Sequence, residues 1–375
     1  MEHQTEFSNI SPSIISKFGR NLHLKPNHPV EIMKQTILSY FNSLNDYKFQ
    51  VFETLSPFVS TQNNFDKLLI PPDHPARSKS DTYYVNEDTV LRTHTSAHQN
   101  ELFAAGHRNF IVVGDVYRKD EIDRSHYPIF HQIEVIGYIG DNEDADPQKE
   151  LIKVLNGLME FLFPNCKYRV NKDYFPFTHP SFEYEVQMEG HEDWMEICGC
   201  GVVHKQILEN NGLEQDKYWA LGLGLDRLCM IFTEMADIRY LWSEHPKFLN
   251  QYKDGKLVVF EPYSELEKVS KDISFFIPEN QIEDFDDKKN GGKKWIKEID
   301  FFQIIRDMSN DLIEEVKLKD IFYHPKKKMF TRMYRLTFSP IDPSFKDPGK
   351  FTKMCNEIMR QVSKNVSQLK LEMRS

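Results

Sequence analysis

Two arginines, Arg118 and Arg227, stand where a side chain can project from rigid elements into a cleft. Arg118 ends the apolar run Phe110 to Tyr117, and Arg227 follows the glycine-rich segment Gly222-Leu223-Gly224-Leu225-Asp226. A guanidinium offers a planar fork to phosphate oxygens and a face that stacks on a base, so the pair could hold a nucleotide. The common nucleotide signatures are missing. The Gly222 to Arg227 run lacks the third glycine of a dinucleotide fingerprint, and no phosphate loop ending in Gly-Lys-Ser/Thr occurs. Phosphates bound here would be held by side chains. Taken alone, each arginine also reads as a surface cation paired with a neighbouring carboxylate.

Other residues invite chemistry more weakly. Cys198, Cys200 and His204 suggest a metal, but C-x-C plus one histidine lacks a fourth ligand and fits no usual zinc spacing. Buried strand cysteines explain them better, and no zinc is expected. His94 and His98 could form a two-histidine metal site. Phe175 and Phe177, two apart on an extended segment, would point the same way and could pack edge-to-face on an aromatic substrate. They read equally as core aromatics.

These residues need elements to hold them. Phe110 to Arg118 and Ile129 to Ile139 are rich in β-branched and aromatic residues and read as two strands of a hairpin. Val30 to Phe41 and Leu151 to Phe163 have helical spacing, while Phe182 to Met188 and Trp194 to Cys198 alternate like half-buried antiparallel strands. Tyr218 to Leu225 is a strand running into a helix that begins near Asp226. Consecutive strands without regular β-α-β alternation predict an α+β fold built on an antiparallel sheet flanked by helices. After Tyr252 the character changes. Lys271 to Pro278, Ile321 to His324, Met329 to Phe338 and Leu369 to Met373 read as strands; Ile299 to Val316 and Phe351 to Val362 read as helices. That order is β-α-β-β-α-β, the ferredoxin-like arrangement. The chain thus divides into residues 1–252, a linker at 253–265 and residues 266–375, with one low-complexity charged loop from Glu283 to Lys294.

Composition narrows the class. Of 375 residues, 40% are hydrophobic and 28% charged, enough apolar material for sizeable cores in two domains. No apolar run approaches the ~18 residues a membrane span needs. Five cysteines, an odd number without a disulfide pattern, indicate a reducing compartment. The net charge of -10 argues against a nucleic-acid partner until its distribution is considered. From Leu266 onward there are 22 Lys+Arg against 18 Asp+Glu, so the last third is the basic one.

Longer stretches carry a resemblance. Val112-Val113-Gly114-Asp115-Val116-Tyr117-Arg118-Lys119-Asp120, continuing through Ser125-His126-Tyr127-Pro128-Ile129-Phe130-His131-Gln132, resembles motif 2 of class II aminoacyl-tRNA synthetases in its mitochondrial phenylalanyl-tRNA synthetase form. Gly222 to Arg227 is similar to their motif 3, continued by Asp237-Ile238-Arg239 and Trp242-Ser243-Glu244. Leu55-Ser56-Pro57 and Asn64-Phe65-Asp66, followed by Asp73 to Arg77, resemble the looser motif 1. The likeness runs from about Gly19 to the C-terminus.

The resemblance implies roles. Arg118 would bind the ATP α-phosphate, Phe130 and Arg227 would sandwich the adenine, and Asp120 stands where the class places glutamate; Asp226 makes the same exchange in motif 3. Tyr174-Phe175-Pro176-Phe177-Thr178-His179-Pro180 resembles the family's phenylalanine pocket, with Thr178 and Ala220 in its wall. His94, Ser96, Gln99, Gln132 and Glu134 would surround the substrate's ammonium and carboxylate. Steric closure near Ala220 would reject tyrosine, and no editing module is expected. Glu196 would contact Mg²⁺ accompanying ATP, or be a cross-strand structural carboxylate. The C-terminal part is similar to the family's ferredoxin-fold anticodon-binding domain. Lys326, Lys327, Lys328, Arg332 and Arg335, interleaved with aromatics, would there bind tRNA(Phe).

Within this resemblance, whose bacterial and cytosolic members need two kinds of subunit, both parts in one chain imply a monomer and a mitochondrial matrix setting, with cytoplasm or plastid as alternatives. The opening Met1 to Glu6 lacks the Arg-rich character of a transit peptide, as expected if the sequence starts near a mature end or the protein works where it is made. Residues Gly255 to Ser264 would hinge the C-terminal part onto the RNA.

Overall fold

The computed structural model describes residues 7–142, 144–190, 192–264, 266–284 and 292–374. The opening Met1 to Glu6 and most of the charged loop after Asp284 lie outside them.

Seven strands form the main sheet, in the order Gln50–Phe52, Phe110–Tyr117, Ile129–Tyr138, Tyr218–Gly224, Met195–Val203, Thr178–Gln187 and Lys167–Asp173. Six run antiparallel as expected. Gln50–Phe52 departs from that expectation by pairing parallel with Phe110–Tyr117, so the sheet is mixed. All eight residues of Phe110–Tyr117 are buried, because both faces of this central strand are covered. Its odd-numbered apolar residues, Ile111 and Val113, join Ile133, Val135, Leu221 and Leu223 against the helices Pro29–Ser43 and Pro147–Leu162. The even-numbered Phe110 and Val112 join Ile136 and Ala220 in a smaller cluster with Phe65 and Phe103 on the other face. The period-2 alternation of a strand thus separates the core side from the side that will carry the cleft.

The C-terminal elements follow β-α-β-β-α-β order: Val269–Pro278, Glu298–Ser309, Ile313–His324, Met329–Phe338, Pro348–Asn365 and Glu372–Met373. A short hairpin, Ile282–Asp284 with Lys293–Trp295, is inserted before the first helix. The four strands of this order pair antiparallel, with Ile313–His324 at one edge, then Met329–Phe338, Val269–Pro278 and Glu372–Met373. Ile273, Phe275 and Ile277 alternate inward and meet Phe351, Cys355, Ile358 and Val362, which recur at helical spacing.

Two boundaries differ from expectation. The helix read as Ile299 to Val316 ends at Ser309, because Asn310 and Asp311 both adopt positive φ (46° and 63°) and stop it. Residues Ile313 to Val316 instead open a strand three times longer than Ile321 to His324. The last strand shrinks to Glu372–Met373, since Val366–Leu369 is a helical turn.

Polar contacts join the C-terminal elements to the rest of the chain. Tyr83 donates to Gln303 at 2.7 Å, Ser13 to Asp307 at 2.6 Å, and Lys17 pairs with Asp311 at 3.0 Å. Arg239, gripped by Asp237, donates to the carbonyls of Asp311 and Ser339 at 2.6 and 3.1 Å. No helix among the described residues is long and apolar enough to cross a membrane.

Candidate active site

A cleft of about 790 Å³ opens on the face of the main sheet away from the long helices. Arg118, Asp120, Phe130 and Arg227 line one part of it; His94, Ser96, Gln132, Glu134, Phe175, Phe177, Thr178 and Ala220 line another, and Glu196 lies among them. Strand register explains the convergence. Gln132 pairs with Gly224, Glu134 with Gly222 and Ile136 with Ala220, so these residues share one face. Gly222 and Gly224 leave that floor open, since a Cβ on either would meet no atom within 4 Å.

At the end lined by the two arginines, the Arg118 Nε donates to the Thr93 carbonyl at 2.7 Å, and its guanidinium lies 5.4 Å from the centre of the Phe130 ring. Desolvation in the cleft pulls its pKa below the usual arginine value, opposed by Asp120 and Glu196. Arg227, in the first turn of the helix Leu225–Thr233, pairs with Glu196 at 3.6 Å. The start of that helix is pinned to the hairpin, because Asp226 accepts from the backbone N–H of His131 at 2.6 Å and from its Nδ1 at 3.1 Å. Phe130 and Arg227 are thereby held on two elements joined through the buried Asp226 carboxylate.

At the other end, Phe175 and Phe177 sit on a turn, not the extended segment expected, and their rings stack on each other at 5.9 Å. Phe175 lies directly on Gly199, where a Cβ would come within 2.7 Å of its Cζ. Glu134 is 4% exposed. Burial raises its carboxyl from 4.5 to about 7, against hydrogen bonds from Ser96 and Thr95 that favour the charged form. Desolvation, helped by the Arg118 charge, lowers His94 to about 3, so its imidazole is neutral. Gln132 accepts from the Thr95 N–H at 3.3 Å.

Some expected residues fall elsewhere. Gln99 is buried at the start of the helix Gln99–Ala104 and does not line the cleft. Arg332, read as an RNA-facing cation, has a fully buried side chain bonded to Glu298 at 3.0 Å and to the Lys293 carbonyl at 2.6 Å. It braces the C-terminal core and presents no charge to solvent. Arg335 is exposed but bidentate on Asp272 at 2.8 Å, and Lys327 pairs with Glu372 at 2.5 Å over the Phe276 ring. Lys326 and Lys328 are exposed. His98 bonds Arg92 and Glu101, not His94. Among the described residues no group of three or more His, Cys, Asp or Glu is arranged to hold a metal ion.

Two features were missed. His126 lines the cleft and bonds Asp123 at 2.8 Å; that bond, with Asp120 and Glu121 nearby, raises its pKa. Its place between Arg118 and Phe130 was the available signal. The second is a clamp from the C-terminal elements on the loop after Arg118. Arg306 donates to the carbonyls of Asp120 and Glu121, Val316 donates to the Ile122 carbonyl at 2.8 Å, and Arg124 pairs with Glu314. Tyr127 donates to Asp311 at 2.9 Å, and the Ile122 side chain is buried in the C-terminal core. No local pattern announces contacts between residues so distant in sequence.

A family model of the tRNA synthetase class II core domain (F) matches residues 15–252. The chain is 43% identical over 349 residues to the chloroplastic/mitochondrial phenylalanine–tRNA ligase of Arabidopsis thaliana, covering 91% of this chain and 77% of that one. The chain belongs to the class II phenylalanine–tRNA ligases. It is also 33% identical over 410 residues to the probable mitochondrial ligase of Drosophila melanogaster, covering 95% of this chain and 87% of its relative. By contrast, the Coxiella burnetii (strain CbuK_Q154) phenylalanine–tRNA ligase alpha subunit is 37% identical over 246 residues, only 63% of this chain. The ligase is an enzyme of the aminoacyl-tRNA synthetase class, and the cleft lies within the stretch matched by the family model.

Proposed function

We propose that this ligase activates L-phenylalanine with Mg-ATP and transfers it to the 2'-hydroxyl of the terminal adenosine of tRNA(Phe). One observation carries the reading: a single cleft joins Arg118, Phe130 and Arg227 to the stacked Phe175 and Phe177 and the buried Glu134. In the first step a carboxylate oxygen of phenylalanine forms a bond to the α-phosphorus while the bond to the β-phosphate breaks and pyrophosphate leaves. Arg118 holds its cation where charge builds on the α-phosphate, which favours the transition state over the ground state. Phe130 and Arg227 hold the base, with Asp120 beside the phosphates. Glu134, Gln132, Ser96 and His94 orient the ammonium and carboxylate. In the second step the ribose oxygen attacks the acyl carbon and AMP leaves. No side chain acts as nucleophile, so catalysis is positioning plus electrostatics.

Mg²⁺ usually binds through one or two carboxylates plus substrate phosphates. Glu196 and its neighbour Glu183, whose pKa is raised to about 6 by desolvation and then by Glu196, fit such a role. The ion would neutralise phosphate charge.

We assign residues 1–252 to catalysis, 253–265 to a linker and 266–375 to a ferredoxin-fold domain that binds the anticodon. Exposed Lys326 and Lys328, with Phe322 and Tyr323 on the neighbouring strand (52% and 38% exposed), supply cations and stacking faces for unpaired bases. A monomer in the mitochondrial matrix is the setting this reading favours, with plastid or cytoplasm as the alternatives. Amino-acid-dependent ATP/pyrophosphate exchange across all twenty amino acids tests it: exchange with phenylalanine alone is expected, and none from folded protein would replace it with an RNA-binding role.

A further inference from the structure

Thr178 lines the cleft, and its hydroxyl is bonded to a residue that does not. The Thr178 Oγ1 lies 2.8 Å from the Oγ of Ser181 and 2.8 Å from the point where a Cβ on Gly201 would stand, and neither Ser181 nor Gly201 lines the cleft. A serine hydroxyl has one proton and two acceptor sites. Ser181 donates its proton to the Thr178 carbonyl at 2.9 Å and accepts the Phe175 N–H at 3.2 Å. The remaining bond must therefore run from Thr178 to Ser181. All three hydrogen-bonding positions of the Ser181 hydroxyl are used on the turn that carries the two phenylalanines.

The consequence is a carbon surface. With its hydroxyl bonded to Ser181, Thr178 has only its methyl left to offer the cleft. Ala220, opposite Gly201 in the strand register, adds another methyl at the same point. A substrate ring meets apolar groups there, and a ring hydroxyl would lose water without gaining a partner.

We propose that Ser181 is a specificity-determining residue that makes the pocket reject ring-hydroxylated amino acids, by holding the Thr178 hydroxyl out of reach. The proposal rests on the reading of this cleft as a phenylalanine site. Steric closure by Ala220 limits size, whereas Ser181 controls polarity. It touches no substrate and acts through Thr178 and Phe175.

The test is ATP/pyrophosphate exchange by the full-length enzyme with phenylalanine and with tyrosine. Ser181→Ala frees the Thr178 hydroxyl to turn toward the ring, and the tyrosine-to-phenylalanine ratio of kcat/KM should rise on the order of tenfold. The double variant Ser181→Ala with Thr178→Val has no hydroxyl to offer, and its ratio should fall back toward wild type. General loosening of the pocket predicts the opposite, a ratio as relaxed as in Ser181→Ala or more so. An unchanged ratio in Ser181→Ala, or a relaxed one in the double variant, overturns the proposal. Should Ser181→Ala fail to fold, Ser181→Cys, whose thiol bonds weakly, should raise the ratio severalfold, and a wild-type ratio there overturns it. Absence of phenylalanine exchange in the wild-type enzyme would sink the reading of the site itself, a separate outcome.

Discussion

Glu134 holds its proton more tightly in the folded chain than in the unfolded one, its carboxyl rising from 4.5 to about 7 through burial. Its contribution to stability therefore falls as pH rises from 4.5 to about 7 and is level outside that window. An ammonium beside it favours the charged form, so the KM for phenylalanine should rise by up to about tenfold per unit as pH drops below 7. Glu134→Gln should weaken binding and flatten that profile; a wild-type slope in the variant would remove Glu134 from substrate contact. His94, neutral above about pH 3, adds nothing to it. Arg118→Ala should lower exchange kcat by about 10² to 10³-fold, and Arg118→Lys should recover little, since an ammonium lacks the planar fork. Thirteen residues expected around the cleft were readable because motif residues bring their neighbours with them, among them Phe130, Gln132 and Glu134 from alternate positions of one strand. Gln99 and Arg332 lie away from the surfaces expected of them for a shared reason: residue type reveals chemistry, but burial depends on which way a helix or strand turns its side chains.

Elements decide which substitutions a site tolerates. Phe175 occupies the space over Gly199 that any other residue would fill. Gly199→Ala should therefore displace the ring and raise the KM for phenylalanine about tenfold or more, with the KM for ATP near wild type, because Phe130 and Arg227 sit on other strands and helices. Parallel rises in both constants would show that the floor moves as a unit. Strands and helices were legible where period-2 or period-3.6 patterns ran long, as in Phe110–Tyr117 and Pro348–Asn365. The pattern failed at Asn310 and Asp311, where two left-handed residues end a helix whose apolar spacing continues past them. The parallel edge strand Gln50–Phe52 is three residues long, too short for periodicity to reveal it.

At the scale of the molecule, the basic last third is built onto the loop after Arg118, the loop proposed to meet ATP. Arg306→Ala would leave the Asp120 and Glu121 carbonyls without their donor, costing about 2 kcal/mol of stability. It should also raise the KM for ATP more than that for phenylalanine, a split that ATP- and phenylalanine-dependent exchange would measure; equal changes would mean that the clamp is only mechanical. Sequence could distinguish the two parts by charge and element order, but could not show them touching, since each contact pairs residues far apart in the chain. The burial of Ile122 in the C-terminal core has a consequence in time. Synthesis runs from the N-terminus, so a chain still emerging from the ribosome can assemble its amino-acid pocket before it owns the brace for its nucleotide loop. On the proposed reading of this loop as part of the ATP site, use of ATP would mature last, when the part proposed to bind RNA has also been made.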